Sequence, residues 1–411
     1  MGRPADRAGR AGSKVTPMRT MPPGVTLINA QTNDREFTSV RILGTRIAAL
    51  GEDPRPGDSI VDLEGDRVLP GLINAHDHLQ LNSLPRPAFE KCYRHVREWI
   101  ADVDASRRSD PEFAASVAVA RDERLLIGGV KNLLSGVTTV AHHDPLYPFL
   151  SNARYPTRVV CNYGWAHSLY VAGEETVADS YRTTPSRWPW IIHAAEGLDH
   201  EAALEFERLD ALGCIAPNTL LVHGIALSRA QRMRLHLAAA GLIWCPSSNL
   251  HLFGKTADVA ELAALGRVAL GTDSRLSGIG DLLDELRLVG QLGVVDDRSL
   301  QSLVTSASAR LLRLRDRGEL RARARADLLI LPARTRLATA RRADVRLVLV
   351  DGVVRYGDRD CAERVAPHGE WTDVRVDGRP KILDGQIAKL LSHAATSEIG
   401  LELSNLAGKA A

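Results

Sequence analysis

Short apolar runs alternate with longer amphipathic stretches through the middle of the chain. The apolar runs cover residues 72–75, 137–141, 158–162, 190–194, 219–223, 242–245 and 268–271. Helical periodicity appears over residues 200–212, 228–240, 281–292 and 299–312. Strands that alternate with helices predict βα units around a parallel sheet. Seven or eight such units over about 250 residues predict an α/β fold whose centre is a (β/α)8 TIM-like barrel.

The two ends of the chain have a different pattern, with short apolar segments punctuated by turn residues. Such segments cover residues 24–29, 38–43, 46–50, 59–62 and 67–69, and then 325–331, 345–350 and 353–356. Neither end alone has enough strands to bury two faces, so we predict one small β-sandwich built from both ends. The predicted domains are the composite sandwich (23–70 with 320–362), the barrel (71–319) and a C-terminal tail (363–411) that is partly helical at 381–395.

The first 22 residues form a basic, polar segment that we predict to be disordered. It lacks the apolar region of a secretory signal. Met18 or Met21 is an alternative start of the chain, and a transit peptide or a nucleic-acid-binding arm is the less favoured interpretation of this segment.

Composition excludes several classes of partner. The formal net charge of +2 argues against a nucleic-acid partner. No apolar run approaches the roughly 18 residues of a membrane helix, which argues against a membrane partner. The five cysteines form no Cys-x-x-Cys pair, which predicts reduced thiols and a cytoplasmic protein. A homo-oligomer remains open.

Candidate metal ligands follow the predicted barrel strands. His76 and His78 are two residues apart, and residues i and i+2 of a strand point to the same face. His193, His223 and Asp273 each end a later apolar run, where barrel active sites form. A lone histidine at a strand end is usually a hydrogen-bonded structural residue, but five candidates in one chain favour a metal site. Imidazoles with a carboxylate suit Zn²⁺, and Fe²⁺ or Mn²⁺ are chemically possible.

These motifs resemble those of the amidohydrolase superfamily, and are most similar to its branch of nucleobase and aminoheterocycle deaminases and triazine hydrolases. The resemblance extends over about residues 24–357. The segments that carry it are Pro70-Gly-Leu-Ile-Asn-Ala-His-Asp-His78, Gly136-Val-Thr-Thr-Val140, His193-Ala-Ala-Glu196, His223-Gly224, Cys245-Pro-Ser-Ser-Asn-Leu250, Gly271-Thr-Asp-Ser274 and Arg325-Ala-Asp-Leu-Leu-Ile330.

The resemblance implies a role for each matching residue. It implies a catalytic metal bound by His76, His78, His193 and Asp273, with Asp273 also acting as general base. Glu196 is implied as the proton shuttle beside a ring nitrogen of the substrate, and a solvated glutamate at a helix start is the structural alternative. His223 would orient the attacking water or polarise the substrate.

The sequence favours one divalent metal ion per chain, with Zn²⁺ the preferred ion. Many members of the superfamily bind two metals bridged by a carboxylated lysine of the fourth strand. The candidate fourth strand, residues 158–163, contains no lysine, and Lys131 falls in a helical stretch. Cys161 could bridge a second ion, although a buried structural cysteine is the favoured interpretation.

Candidate substrate-binding residues surround the proposed metal. His142 and His143 end the predicted third strand, Trp165 and His167 follow the fourth, and Asn249 and His251 follow the seventh. Aromatic and imidazole groups around a metal suit a flat, polar heterocycle. Ordinary loop and core packing explains each of these residues equally well. The segment between Val140 and His193 is short compared with many relatives, so a familiar substrate cannot be transferred.

The leading hypothesis is a metal-dependent hydrolase of carbon–nitrogen bonds other than peptide bonds, acting on a small heterocycle. The preferred reaction is hydrolytic deamination by hydroxide, which a bound metal supplies by lowering the pKa of water from about 16 towards 7. The alternatives are hydrolysis of a cyclic amide or imide, and hydrolytic dechlorination of a similar ring. A non-catalytic binding relative is the alternative from another class.

Overall fold

The computed structural model describes residues 24–32, 37–89 and 91–404. The prediction of a disordered segment at residues 1–22 lies outside the described residues. The strands, in chain order, are β1 Val25–Ala30, β2 Thr38–Leu43, β3 Arg46–Leu50, β4 Ser59–Asp62, β5 Arg67–Pro70, β6 Leu72–Asp77, β7 Val137–His142, β8 Arg158–Val159, β9 Gly164–Ser168, β10 Trp190–Ala194, β11 Thr219–His223, β12 Gly241–Trp244, β13 Val268–Leu270, β14 Leu328–Leu331, β15 Leu347–Val350, β16 Val353–Gly357, β17 Trp371–Val376, β18 Arg379–Asp384 and β19 Leu401–Leu403.

The helices lie mostly between the central strands. They are α1 Val96–Ser109, α2 Pro111–Ala118, α3 Arg121–Leu134, α4 Leu169–Ala172, α5 Glu174–Thr183, α6 His200–Ala211, α7 Arg229–Leu237, α8 Pro246–Phe253, α9 Ala260–Ala264, α10 Leu282–Leu292, α11 Asp297–Leu303, α12 Ser306–Leu311, α13 Arg359–Val365 and α14 Gly385–Leu391. Their N-termini follow ordinary capping chemistry: Asp199, for example, accepts a hydrogen bond from the backbone N–H of Ala202 at the start of α6.

Eight parallel strands of the described chain form two sheets. One sheet has the order β6-β7-β8 and the other the order β13-β12-β11-β10-β9. At the C-terminal ends of β13 and β6, the backbone N–H groups of Thr272 and Asp273 donate to the carbonyl of His76 at 3.0 and 3.1 Å. Strand ends that carry different candidate ligands therefore meet at one edge.

The structure corrects the numbering of the central strands. The predicted run at 158–162 keeps strand geometry only at Arg158–Val159, and a separate strand, Gly164–Ser168, becomes the fourth of the eight. His142 therefore ends the second strand rather than the third, and Trp165 and His167 lie on the fourth strand rather than after it. This strand was missed because its short Gly-Trp-Ala-His-Ser sequence has little apolar periodicity. It also contains no lysine.

The terminal segments form two further sheets. β1 to β4 make a sheet of order β3-β2-β1-β4, and β5 joins β14 to β19 in a sheet of order β19-β17-β18-β16-β15-β14-β5. In the second sheet, Leu69 of β5 pairs with Leu329 of β14, so the two ends of the chain share one ladder. Buried residues of both ends also share one apolar cluster, which includes Leu27, Leu328 and Ile382.

Two predicted helices differ in the structure. Residues 381–395 begin within β18, because Ile382 and Leu383 pair with β16, and helix α14 starts only at Gly385. The predicted helix at 299–312 is divided into α11 and α12. The interruption frees the carbonyl of Val304 to accept a hydrogen bond from the backbone N–H of Ile73 in β6, at 2.8 Å.

Within the described residues, none of the helices combines the length and the apolar character that crossing a bilayer requires.

Candidate metal centre

Four buried imidazoles converge at the C-terminal ends of the parallel strands. Their ligating atoms all lie within 4.8 Å of one another, and they belong to His76, His78, His143 and His193. The Nε2 atom of His193 is 3.3 Å from the Nε2 atoms of both His76 and His78. Two nitrogens bound at about 2.0–2.1 Å to one tetrahedral ion would be about 3.3–3.4 Å apart. The spacing of these three atoms therefore fits zinc coordination.

Hydrogen bonds on the far side of each ring fix which nitrogen faces the centre. His78 donates from Nδ1 to the carboxylate of Asp144 at 2.8 Å, and His193 donates from Nδ1 to the carbonyl of His167 at 2.7 Å. Both rings are thereby held with Nε2 directed at the cluster, as in most protein metal sites. Nδ1 of His143 has no hydrogen-bond partner among the described residues, while its Nε2 contacts the carbonyl of Ala166 at 3.0 Å.

The cluster has an electrostatic preference for a cation. Burial lowers the pKa of His76 to about 4 and lowers that of His193 well below its ordinary value. Burial acts in the same direction on His78, but the hydrogen bond and the negative charge of Asp144, together with Asp273, raise its pKa to about 9. The same negative potential that holds a proton on His78 would favour a divalent ion at this point.

Asp273 presents one oxygen to the imidazoles. Its Oδ2 atom accepts hydrogen bonds from the hydroxyls of Ser248 at 2.8 Å and Ser277 at 2.7 Å. Its Oδ1 atom is 3.7 Å from the Nε2 atoms of both His76 and His78. Burial opposes ionisation, but the close imidazoles of His76, His78 and His223 hold the pKa of Asp273 well below its usual range, which favours the ionised carboxylate. A carboxylate oxygen therefore completes the cluster.

His223 and Glu196 form a pair beside the cluster. The Nε2 atom of His223 is 3.4 Å from Oε1 of Glu196, and Nδ1 of His223 donates to Oδ1 of Asn249 at 2.8 Å. Burial lowers the pKa of His223 and raises that of Glu196 well above its ordinary value. The charge of Asp273 raises the pKa of Glu196 further. These two shifts favour a neutral imidazole at His223 and a protonated carboxyl group at Glu196.

The backbone is strained where these residues emerge. Ala195, His223 and Asp273 have φ angles of 54°, 74° and 54°, in the left-handed region that non-glycine residues rarely adopt. His223 ends β11, Ala195 directly follows β10, and Asp273 lies three residues after the end of β13. Such strain persists where the surrounding structure enforces it, and it is concentrated at functional sites.

The remaining predicted substrate residues are placed unequally around the centre. The ring of Trp165 is 5.6 Å from that of His143, and the ring of His167 is 4.9 Å from that of His193. His142 is not one of the four clustered imidazoles, and its Nδ1 atom is 3.4 Å from the carbonyl of Asp77. His251 lies half-buried on α8, two residues after Asn249.

Several residues at this centre were not identified from the sequence. Asp144 was missed, although it directly follows His142 and His143, and Ser248 and Ser277 were missed as partners of Asp273. His143 was predicted to bind substrate, whereas the structure groups its ring with the candidate ligands. Serines and aspartates are so common after strands that only the folded contacts reveal these roles.

The residues present fit a single divalent ion. The donor set of imidazole nitrogens and one carboxylate oxygen is the set that zinc prefers in catalytic sites. A second observation is the Nδ1 atom of His76, which is buried without a hydrogen-bond partner among the described residues. Its Nε2 atom lies 3.3 Å from Nε2 of His193.

Comparison with known proteins identifies the family. Residues 120–356, more than half of the chain, match the family described as the Amidohydrolase family (Amidohydro_3). The chain belongs to the amidohydrolase family. The resemblance in the sequence motifs is thereby confirmed, and the protein is an enzyme that acts on carbon–nitrogen bonds other than peptide bonds.

Individual relatives of this amidohydrolase agree with the family match. It is 26% identical over 379 residues to the 5-methylthioadenosine/S-adenosylhomocysteine deaminase of Halobacterium salinarum, which covers 76% of this chain and 86% of the relative. A zinc-bound adenosine deaminase of Xanthomonas campestris superimposes with a TM-score of 0.66 at 17% identity, covering 81% of this chain and 94% of the other. The zinc complex of atrazine chlorohydrolase from Arthrobacter aurescens superimposes with a TM-score of 0.65 at 18% identity, covering 80% and 94%. The fold is thus a TIM-like barrel with an additional β domain.

Proposed function

We propose that this amidohydrolase catalyses the hydrolytic deamination of an aminated heterocycle, with adenosine-like compounds as the first class to test. The observation that carries the proposal is the Glu196–His223 pair, with 3.4 Å between Oε1 and Nε2, directly beside the cluster of imidazoles. Loss of ammonia from a ring carbon needs an acid that reaches a ring nitrogen. Burial raises the pKa of the Glu196 carboxyl group well above its ordinary value, which favours its protonated form.

One divalent ion, with Zn²⁺ the preferred metal, would be held by His76, His78, His193 and Asp273. Zinc in the solved structures of the Xanthomonas campestris and Arthrobacter aurescens proteins supports this choice. A bound ion of this kind lowers the pKa of water and supplies hydroxide at neutral pH.

The chain's own residues would move the protons. Oδ1 of Asn249 accepts a hydrogen bond from Nδ1 of His223, which leaves Nε2 near Glu196 as an acceptor that would orient the attacking water. Asp273, held by two serine hydroxyls, is an ionised base. Glu196 would give its proton to the ring nitrogen as the tetrahedral centre forms, and a proton released by the attacking water would restore it. Asp273 would take the remaining proton of the added hydroxyl group and pass it to the departing amino group, which leaves as ammonia. Exclusion of bulk water by these buried side chains strengthens each of these interactions.

The proposal includes the surroundings of the reacting ring. Trp165 and His167 lie within ring-contact distance of the imidazole cluster. Together with His143 of the cluster, they would line the face of a flat substrate. We also propose that residues 71–319 form the (β/α)8 barrel and that residues 23–70 and 320–362 form a composite β-sandwich. The ladder between β5 and β14 supports the latter.

An ammonia-release screen on zinc-loaded protein tests the function. The panel would contain adenosine-like nucleosides, free aminopurines, aminopyrimidines, pterins and aminated or chlorinated triazines. We expect ammonia release from at least one aminated ring, and loss of that activity in Glu196→Gln. The matched control is Glu402→Gln, because Glu402 is exposed on β19.

Other outcomes would redirect the function. Chloride release without ammonia would replace deamination by dechlorination, and ring opening without ammonia would indicate a cyclic amide or imide substrate. Elemental analysis that finds two tightly bound metal ions per chain would overturn the single-ion centre.

A further inference from the structure

Lys131 lies at the centre of a buried polar network behind the metal centre. It belongs to helix α3, and its side chain is 0% exposed. Its Nζ atom donates to Oδ1 of Asn82 at 2.7 Å and to Oγ1 of Thr272 at 3.2 Å, and it lies 2.9 Å from Oδ2 of Asp77. An ammonium group has three N–H donors, so these three contacts use all of them.

The contact of Lys131 with Asp77 reaches β6, which contains His76 and directly precedes His78. Asp77 lies between these two histidines, and alternation along β6 places its side chain on the opposite face. Both oxygens of Asp77 have further donors, since Oδ2 accepts from Asn132 at 2.7 Å and Oδ1 accepts from Asn82 at 2.8 Å. The backbone between the two histidines is therefore fixed from behind.

The contacts of Lys131 with Thr272 and Asn82 connect it to the segment that carries Asp273. Thr272 directly precedes Asp273, and its Oγ1 atom also donates to the carbonyl of Asp273 at 3.0 Å. Asn82 accepts, at the same Oδ1 atom that binds Lys131, a hydrogen bond from the backbone N–H of Arg275 at 3.2 Å. One ammonium group thus bonds directly to Thr272, before Asp273, and is linked through Asn82 to Arg275, after it. The backbone of Asp273 between them is strained.

We propose that Lys131 is a positioning residue of the metal centre, joining the His76–His78 strand to the Asp273 turn from the face opposite the ligands. The inference rests on the proposed metal centre and deepens it. His76 and His78 lie at the end of β6 and Asp273 follows β13, which are edge strands of the two parallel sheets. The distances between these ligands depend on the junction of the two sheets. Groups that orient metal ligands in this way commonly contribute about 10- to 100-fold to metal affinity.

Three variants separate positioning from general support of the core. Lys131→Met keeps the length of the side chain but removes the charge and all three donors. Asp77→Asn/Lys131→Met removes both buried charges, which avoids an unpaired carboxylate and favours a folded protein. Lys381→Met is the matched control, because Lys381 is also a buried lysine, bonded to the carbonyl of Val345 at 2.7 Å and to Asp358 at 2.6 Å, but in the terminal sheet.

The measurement is the dissociation constant for Zn²⁺, by competition with a chelating dye at a temperature where circular dichroism shows each variant folded. We expect the dissociation constant for Zn²⁺ to be roughly 10- to 100-fold larger in both Lys131 variants than in the wild type. In the double variant, the unfolding temperature should recover towards that of the wild type, while the dissociation constant for Zn²⁺ stays raised. Lys381→Met should lower the unfolding temperature and leave the zinc constant unchanged.

Contrary results have distinct meanings. An unchanged zinc constant in folded Lys131→Met, or a constant that recovers together with stability in the double variant, would show that Lys131 only supports the core. If Lys131→Met does not fold, the double variant decides. Wild-type protein that binds no Zn²⁺ would instead overturn the proposed metal centre itself.

Discussion

Glu196 is a buried carboxyl group beside the imidazole of His223, and burial raises its pKa well above its ordinary value. Glu196→Gln preserves the shape and part of the hydrogen bonding, but an amide cannot deliver a proton. We expect kcat on a verified substrate to fall roughly 100- to 10,000-fold, a barrier about 3–5 kcal/mol higher. Zinc content, measured by elemental analysis, should stay near that of wild type.

The matched comparison for Glu196→Gln is His76→Ala, which removes a proposed ligand and should strip most of the zinc. Full activity in Glu196→Gln would show that another group carries the proton. Loss of zinc in this variant would make Glu196 a ligand, and the donor set would then need to be redrawn.

At the residue scale, the sequence predicts the proposed metal ligands well, but it does not predict the residues that form hydrogen bonds with them. His76 and His78 could be predicted because a two-residue spacing on a strand has only one geometric consequence, two side chains on one face. The hydrogen bond from His78 to Asp144 could not be predicted, because it joins two residues that are 66 positions apart in the sequence. His143 was assigned to the substrate for the same reason, since its orientation depends on the carbonyl of Ala166.

At the scale of elements, helix α10 is fastened to helix α8 by a buried carboxyl group. Glu285 accepts a hydrogen bond from the backbone N–H of Ser247 at 3.2 Å and another from its hydroxyl. The next two residues of α8, Ser248 and Asn249, contact Asp273 and His223. Burial raises the pKa of Glu285 to about 8, although the bonds from Ser247 act in the opposite direction.

This raised pKa makes stability depend on pH in one direction. Between about pH 4.3 and about pH 8, the unfolded chain releases the proton of Glu285 while the folded chain retains it. The free energy of unfolding should therefore fall as pH rises through this window, and the loss should be complete above about pH 8. Glu285→Gln should show a smaller fall, measured by urea unfolding at about pH 5 and about pH 8. The exposed Glu319→Gln is the control; equal slopes in the two variants would contradict this effect.

The elements themselves were predictable where their pattern is long. The stretch at 200–212 contains α6 (His200–Ala211), since its apolar positions recur with helical spacing and Asp199 caps it. β9 and the division between α11 and α12 were not predictable. β9 has five residues, of which only Trp165 and Ala166 are apolar, so it shows no clear period. The interruption at Val304 accompanies a hydrogen bond from the backbone N–H of Ile73, on a strand far away in the sequence.

At the scale of the whole molecule, the C-terminal segment is connected to the metal centre by buried charges. Glu398, which precedes β19, is 1% exposed and accepts two hydrogen bonds from the guanidinium of Arg275, at 2.6 and 2.7 Å. Arg342 donates a third at 2.9 Å. Arg275 lies two residues after Asp273, so a residue near the end of the described chain helps to hold the turn that carries a proposed ligand.

Removal of Glu398 should therefore destabilise the protein as a whole. Glu398→Ala leaves the guanidinium of Arg275 buried without the carboxylate that it hydrogen-bonds, a change that commonly costs about 3–5 kcal/mol. Arg342 also loses one partner but keeps Asp377. We expect the denaturant midpoint to fall and the tryptophan-fluorescence and circular-dichroism transitions to move together, because the link joins the terminal sheet to the centre of the molecule. Glu402→Ala, on the exposed side of β19, should change the midpoint little. A loss in Glu398→Ala no larger than in this control, or two separated transitions in the wild type, would mean that the C-terminal segment folds independently of the site.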